Sequence, residues 1–400
     1  MKNYLSTKNL TALCFLLLLA VMFLLGLGTF VRGTCQLFTT WQESHVLNIS
    51  GLETLYNDEL PYKVSFLELN GGFQRLLGIR HINERYRLDN GQLTYVIPQT
   101  EVDWKAENVA AFRQALAEAD IPFLYVNAPF KIDPTDKQLP LGVEDYSNEN
   151  ADAFLAILAE NDVPYLDLRV PEKEQGLDHY AMFYPTDHHW TAEMGFWAYQ
   201  QITSQLTQMD ESFAVDPVLM NTDSYEYTVY PQIFLGSAGR RVGKLYAGMD
   251  DLTLIQPKFE TSLQMEDPVE NTLRQGSYSD TLLYKELLTD GNDYEVSRYS
   301  VYSGGERAVT YYRNFSRQEN FAVQSSPKRL LVVKDSYCAV VAPFLALSYD
   351  EVCLLDLREF QQNVMDFVTD YQPDMVIILY NPGALESNND IMFQFQPEEG

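Results

Sequence analysis

Three of the chain's five histidines fall between positions 179 and 189, and two of them sit in the run Thr-Asp-His-His-Trp-Thr at 186–191. Asp187 and His189 stand two residues apart. At that spacing, in an extended or turning segment, a carboxylate can hold an imidazole, fix its tautomer and favour the imidazolium that forms when the ring takes a proton. Such a base needs a nucleophile. Ser336 is the candidate: it follows the apolar run LLVVKD and opens a helical stretch, which places its hydroxyl at a strand end beside backbone N–H groups able to stabilise an oxyanion.

Plainer readings of the same residues stand beside this one. A serine between strand and helix is commonly an N-cap. Two adjacent histidines with a carboxylate are a partial zinc or manganese site, but a catalytic metal usually takes three protein ligands and the sequence offers no second His or Cys cluster. Neither metal nor cofactor is expected. His188 should point away from its neighbour, and Trp190 should bury its ring. Three more positions could complete a site. Asn381, in YNPG, could donate its amide to an oxyanion or simply form the turn before Pro382. Arg358 ends the strand expected beside that of Ser336, where it could bind an anionic or polyhydroxyl substrate or pair with a carboxylate. Gly236, in FLGSAGRRVG, lies in a loop that could line the site or be a surface turn.

The elements that must position these residues follow from periodicity. Residues 105–119 predict a helix and 122–129 a buried strand, then a helix over 148–161 and a strand over 164–169. After the His-His loop a helix runs from Ala192 to about Leu206 with Thr191 as its N-cap. From 209 to 327 the pattern turns Tyr-rich and Gly-punctuated, with YEYTVY, DLTLIQP and RAVTYYRN as strands of a β-rich insertion. Alternation resumes with a strand at 329–335, helix 337–348, strand 351–357, helix 359–371 and strand 374–381. Strand–helix alternation predicts a three-layer α/β/α fold around one doubly wound parallel sheet, with ligands at the carboxyl ends of its strands.

With 400 residues, 46% of them hydrophobic, the chain can bury a sizeable core, and its net charge of −28 argues against nucleic acid as a partner. Residues 10–31 carry no charge, and about 20 apolar residues suffice to cross a bilayer. One N-terminal transmembrane helix is expected, acting as a signal anchor behind a cytoplasmic tail at 1–9. Lys2 and Lys8 would keep that tail inside, giving a single-pass protein of the cell membrane with its C-terminal domain extracytoplasmic. A cleaved signal peptide is the rival, but its small-residue cleavage site is not evident. A stalk and lead-in at 32–90 would precede the two parts of the domain, 91–208 and 328–390, on either side of the 209–327 insertion. No disulfide framework is indicated, although a Cys338–Cys353 bridge stays open.

DHHW followed by Thr-Ala-Glu, a later apolar strand ending in KDSY and a final strand ending in Tyr-Asn together resemble the bacterial DHHW protein family, which is similar to the SGNH-hydrolase-like alginate O-acetylation proteins. The resemblance covers about residues 90–385. Asp-x-His-Trp precedes the serine in those proteins, as it does here; His occupies position 188 where they carry a small polar residue, and no Gly precedes Asp335 and Ser336. The resemblance implies an SGNH-like (flavodoxin-like) domain with Asp187, His189 and Ser336 as its triad. It also implies a membrane-bound O-acyltransferase-type partner that delivers acyl groups from inside. The function expected is O-acetyl transfer to a surface or secreted polysaccharide. An extracellular acyl esterase using the same triad, and a non-catalytic glycan-binding scaffold, are the alternatives.

Overall fold

The computed structural model describes residues 2–44, 62–289, 291–316 and 328–395. The chain divides into two compact units, residues 1–70 and 71–400. Helix α1, Lys2–Ser44, belongs to the first and contains the whole 10–31 stretch. Among the described residues, no helix is long and apolar enough to cross a membrane.

After a helix at Lys63–Leu76, the second unit has three short antiparallel strands, β1 (His81–Ile82), β2 (Arg85–Arg87) and β3 (Leu93–Thr94). Helix α2 (Asp103–Glu118) leads into β4 (Phe123–Asn127), and α3 (Ser147–Glu160) into β5 (Tyr165–Asp167). Helix α4 (Ala192–Met209) follows, starting where Thr191 accepts the Met194 N–H as expected of its N-cap. Next come β6 (Tyr225–Phe234), the short helix α5 (Ser237–Val242), β7 (Asp250–Pro257), β8 (Leu263–Asp267), β9 (Thr272–Gly276) and β10 (Val309–Asn314). The chain closes with β11 (Arg329–Lys334), a 3₁₀ turn at Ser336–Val340, α6 (Ala342–Ser348), β12 (Glu351–Leu355), α7 (Val364–Tyr371) and β13 (Met375–Tyr380).

One eight-stranded sheet organises the unit, in the order β5-β4-β13-β11-β12-β10-β8-β9. The first five strands are parallel, as the alternation predicts; β10, β8 and β9 extend the sheet antiparallel. Of these antiparallel pairs, only β8 and β9 are joined by a short connection, the kind that pairs neighbours antiparallel; β10 pairs with β8 and β12 across long stretches of chain. β6 and β7 form a separate two-stranded ribbon.

Both faces of the sheet are covered, so its central strands are apolar at consecutive positions. Leu330 and Val332 of β11 join the core containing α4 and α6, while Leu331 and Val333 join the core containing α2, α3 and α7. β13 divides in the same way, with Ile377 on one side and Ile378 on the other. Cys338 and Cys353 are free and buried, and they fall on opposite faces of the sheet, so the open bridge does not form.

Helix α4 lies close against the turn that follows β11. A β-carbon added at Gly195 would stand 2.3 Å from Val340 Cγ2. Gly195→Ala should therefore lower stability by about 1–3 kcal/mol through overpacking. Val340→Ala in the same chain removes the nearest atom but leaves Val340 Cβ at 2.8 Å, so it should recover part of that loss in thermal unfolding; no recovery would place the strain on Cβ and the backbone.

Candidate active site

Ser336 stands at the carboxyl end of β11, inside the parallel run between β13 and β12, where Asp335 fixes the turn. Asp335 Oδ1 accepts the Tyr337 N–H at 2.8 Å, and Oδ2 accepts the Asn381 N–H and the Asn381 side-chain amide, each at 2.7 Å. Burial raises the Asp335 carboxyl above its ordinary value even though these donors oppose it. The end of β13 is thereby tied to the end of β11.

The Asp-His-His-Trp loop reaches the same edge from another direction. Phe183 and Trp190 form an isolated antiparallel bridge, and Tyr184 N–H donates to His189 O at 3.1 Å, so residues 184–189 make a closed turn leading into α4. Trp190, fully buried as expected, donates its indole N–H to Tyr337 O at 2.9 Å; Tyr337 returns its hydroxyl to His188 O at 2.6 Å. This reciprocal pair joins the loop to the serine turn.

The result is a line of three side chains. His189 Nδ1 is 2.7 Å from Asp187 Oδ1, and His189 Nε2 is 2.7 Å from Ser336 Oγ. A carboxylate on Nδ1 assigns the ring proton to that nitrogen, leaving Nε2 to accept the serine O–H. Asp187 is 1% exposed. Its burial would raise the carboxyl, but the charges and hydrogen bonds of His189 and His188 outweigh that and hold it well below the usual carboxylate range. It stays ionised at neutral pH. The Ser237 N–H steadies the other oxygen at 2.7 Å, and Tyr299 stacks on His189 with ring centroids 4.1 Å apart.

His188 does not turn away as expected. Its ring lies 3.8 Å from that of His189, and its Nδ1 is 3.0 Å from both Asp187 Oδ1 and Ser237 Oγ. The expectation assumed extended backbone, in which neighbouring side chains oppose one another; in this tight turn they do not. Burial, then the neighbouring His189 charge, lowers the His188 imidazole and favours its neutral form.

The other sequence candidates are near these elements but are engaged. The Asn381 amide donates to Asp335, and its oxygen accepts the Gly383 N–H at 2.7 Å. Arg358 is bonded to Asp356 through Nε at 2.8 Å and to Glu306 through Nη2 at 2.8 Å. The Tyr337 N–H, one of the backbone donors expected to face an oxyanion, turns back to Asp335. Gly236 backs the carboxylate: its N–H donates to Thr186 Oγ1 at 2.8 Å, and a β-carbon there would be 2.4 Å from Asp187 Cβ. Asp250, which sequence reading passed over, accepts both the N–H and the hydroxyl of Thr186 at 2.8 and 2.7 Å.

Among the described residues, Asp187, His188 and His189 are also the group that could hold a metal ion, with donor atoms within 4.8 Å of one another. Each residue would give one ligand atom, so one His189 nitrogen and one Asp187 oxygen would leave the hydrogen bonds just described. A metal centre and the Ser-His-Asp line are alternative uses of the same atoms.

With this geometry the similarities to known proteins take on meaning. Residues 94–239 match the family model described as SGNH hydrolase-like domain, acetyltransferase AlgX. That stretch contains Asp187 and His189 and ends before Ser336. The structure is similar to PatB1 of Bacillus cereus, with TM-score 0.63 and 22% identity over 78% of this chain and 99% of that one. A second PatB1 structure, with a sulfonyl adduct, has TM-score 0.62 and 22% identity over 79% of this chain and 100% of that one. A DHHW family protein from Eubacterium siraeum DSM 15702 has TM-score 0.59 and 15% identity over 80% of this chain and 98% of its own. No curated protein sequence matches. Residues 94–239 thus resemble an SGNH hydrolase-like domain, within a mixed α/β fold shared with these structures, and the resemblance to DHHW and alginate O-acetylation proteins is borne out.

Gly236→Ala tests the geometry behind Asp187. The added methyl has to displace Asp187 or Thr186, and a displacement near 1 Å can lower rates about 10²-fold. Labelling of Ser336 by phenylmethanesulfonyl fluoride should slow on that scale while the protein stays folded. Wild-type labelling would show that Asp187 needs no such support.

Proposed function

We propose that the protein is a membrane-anchored, outward-facing O-acyltransferase that passes an acyl group, acetyl by its family likeness, through Ser336 to a glycan hydroxyl. The observation that carries this reading is the unbroken line from Asp187 through His189 to Ser336, with both contacts at 2.7 Å.

The chemistry balances over two half-reactions. His189 Nε2 takes the Ser336 proton as Oγ bonds to the acyl carbonyl carbon of a donor ester; the donor's C–O bond then breaks, and its oxygen leaves with the proton held by His189. In the second half, His189 takes a proton from the acceptor hydroxyl, whose oxygen attacks the acyl-serine. Ser336 recovers its proton from His189 as it leaves. Asp187 holds the ring and stabilises the imidazolium in both halves.

The anchor and the partner rest on sequence and resemblance. Residues 10–31 are uncharged, and Leu13, Phe15, Leu16, Leu17, Phe23 and Leu24 of α1 are exposed, an arrangement that favours lipid over water. A single-pass orientation with the catalytic domain outside would place it beside a membrane-bound O-acyltransferase-type protein able to supply acyl groups, raising the effective concentration of the donor.

Full-length protein in detergent, given a small acyl ester, separates transfer from hydrolysis. Adding the right glycan should speed donor consumption and yield acylated glycan. Release of free acid at a rate indifferent to glycan would assign an esterase. Ser336→Ala or His189→Ala should lower the rate by about 10³-fold or more, while His188→Ala keeps much of it. Equal loss from both histidines together with inhibition by a chelator would favour a metal centre instead.

A further inference from the structure

Six backbone carbonyls, Tyr184 to His189, run through the loop that carries the triad's acid and base, and buried carbonyls need donors. His189 O takes the Tyr184 N–H, His188 O the Tyr337 hydroxyl, and Thr186 O the Gly239 N–H at 2.9 Å. The other three meet one side chain, although Tyr184 O also takes the Asp187 N–H at 3.1 Å and Pro185 O the Leu93 N–H at 2.8 Å. Lys131 Nζ donates to Tyr184 O at 2.7 Å, to Asp187 O at 2.7 Å and to Pro185 O at 3.2 Å, and also reaches Leu93 O of β3 at 2.8 Å. Lys131 is completely buried.

A buried ammonium is poor for stability by itself, since removing it from water costs several kcal/mol. Four carbonyls around three N–H donors explain why it is there. Among the described hydrogen bonds of this loop, Lys131 is the donor to Asp187 O, so its side chain fixes that peptide. That peptide sets the direction of both the Asp187 carboxylate and the next residues of the turn.

We infer that Lys131 is a positioning residue for acyl transfer: its side chain donates to the Asp187 carbonyl, and to those of Tyr184 and Pro185 beside it, so that Asp187 and His189 meet Ser336. This rests on Asp187, His189 and Ser336 acting as the acyl-transfer triad.

Burial pushes the Lys131 ammonium down from its ordinary value, with Asp250 and then Asp187 opposing. Asp250, on β7, is pushed up by its own burial. Asp187, in the loop, stays ionised throughout. His179, which approaches the Lys131 backbone, is pushed down by burial but raised overall by Glu172, 2.7 Å away. β3 contributes only its Leu93 carbonyl. Lysine binds its proton more weakly in the folded chain than in the unfolded one, so between its folded and unfolded values the unfolded state holds the extra proton and this group's contribution to stability rises with pH.

The test is the rate constant for phenylmethanesulfonyl fluoride labelling of full-length protein, with thermal unfolding in parallel. Lys131→Met, measured at a temperature where it is folded, should label at least about tenfold more slowly than wild type, and Lys131→Arg, which keeps a cation and N–H donors, should recover most of the rate. Full reactivity in folded Lys131→Met, or an equal loss in Lys131→Arg and Lys131→Met, would overturn the role of Lys131 and leave the triad standing. No labelling of wild type would overturn the acyl-transfer reading and this inference together.

Discussion

A serine oxygen and an imidazole nitrogen separated by 147 positions in the chain have to meet at hydrogen-bond distance, here 2.7 Å. Proton transfer tolerates little error in that distance. Much of the second unit answers this requirement. The parallel sheet brings the end of β11 to the edge that the Asp-His-His-Trp loop also reaches, Gly195 lets α4 pack close to the serine turn, and Trp190 and Tyr337 exchange hydrogen bonds across the join. Asp335 then ties β11 to β13 through Asn381. The loop is irregular but not loosely held, because its carbonyls are supplied with donors.

This precision is built from buried charge. Asp187, Lys131, Asp335, Lys334 and Asp356 are all buried. Groups of this kind stabilise a fold less than apolar residues of similar size, and removing one partner leaves the other exposed to the low-dielectric interior. Lys334 and Arg358 hold Asp356 at 2.7 and 2.5 Å, a cluster at the end of β12 separate from the line of Asp187, His189 and Ser336. Arg358 was therefore legible as a strand-end residue, but its neighbours decide its role: the carboxylates of Asp356 and Glu306 occupy the guanidinium that sequence reading offered to a substrate.

What the sequence reveals and what it hides divide along physical lines. The strands β4, β11, β12 and β13 are short apolar runs between helical stretches, so their existence and approximate limits could be read directly. Asp187, His189 and Ser336 could be read because their side-chain chemistry is specific and their context, a turn and a strand end, is local. The antiparallel extension through β10, β8 and β9 could not, since pairing between distant segments leaves no local period. Gly236 was noticed, but its use, close packing behind Asp187, depends on contact rather than spacing. Lys131 and Asp250 escaped notice because their partners are mostly backbone atoms, which carry no sequence signature; a lone lysine in the apolar stretch around Phe130 and Ile132 was the available sign.

The account stands or falls on whether Ser336 carries the acyl group. Peptide mapping by mass spectrometry, after brief exposure of the full-length protein to an acetyl ester at limiting acceptor, addresses this directly. The account predicts one acetyl group on the peptide containing Ser336, which forms in wild type, is absent in His189→Ala and disappears when a glycan acceptor is added. An acetyl group found only on other residues, or ester turnover that proceeds undiminished in Ser336→Ala, would contradict it.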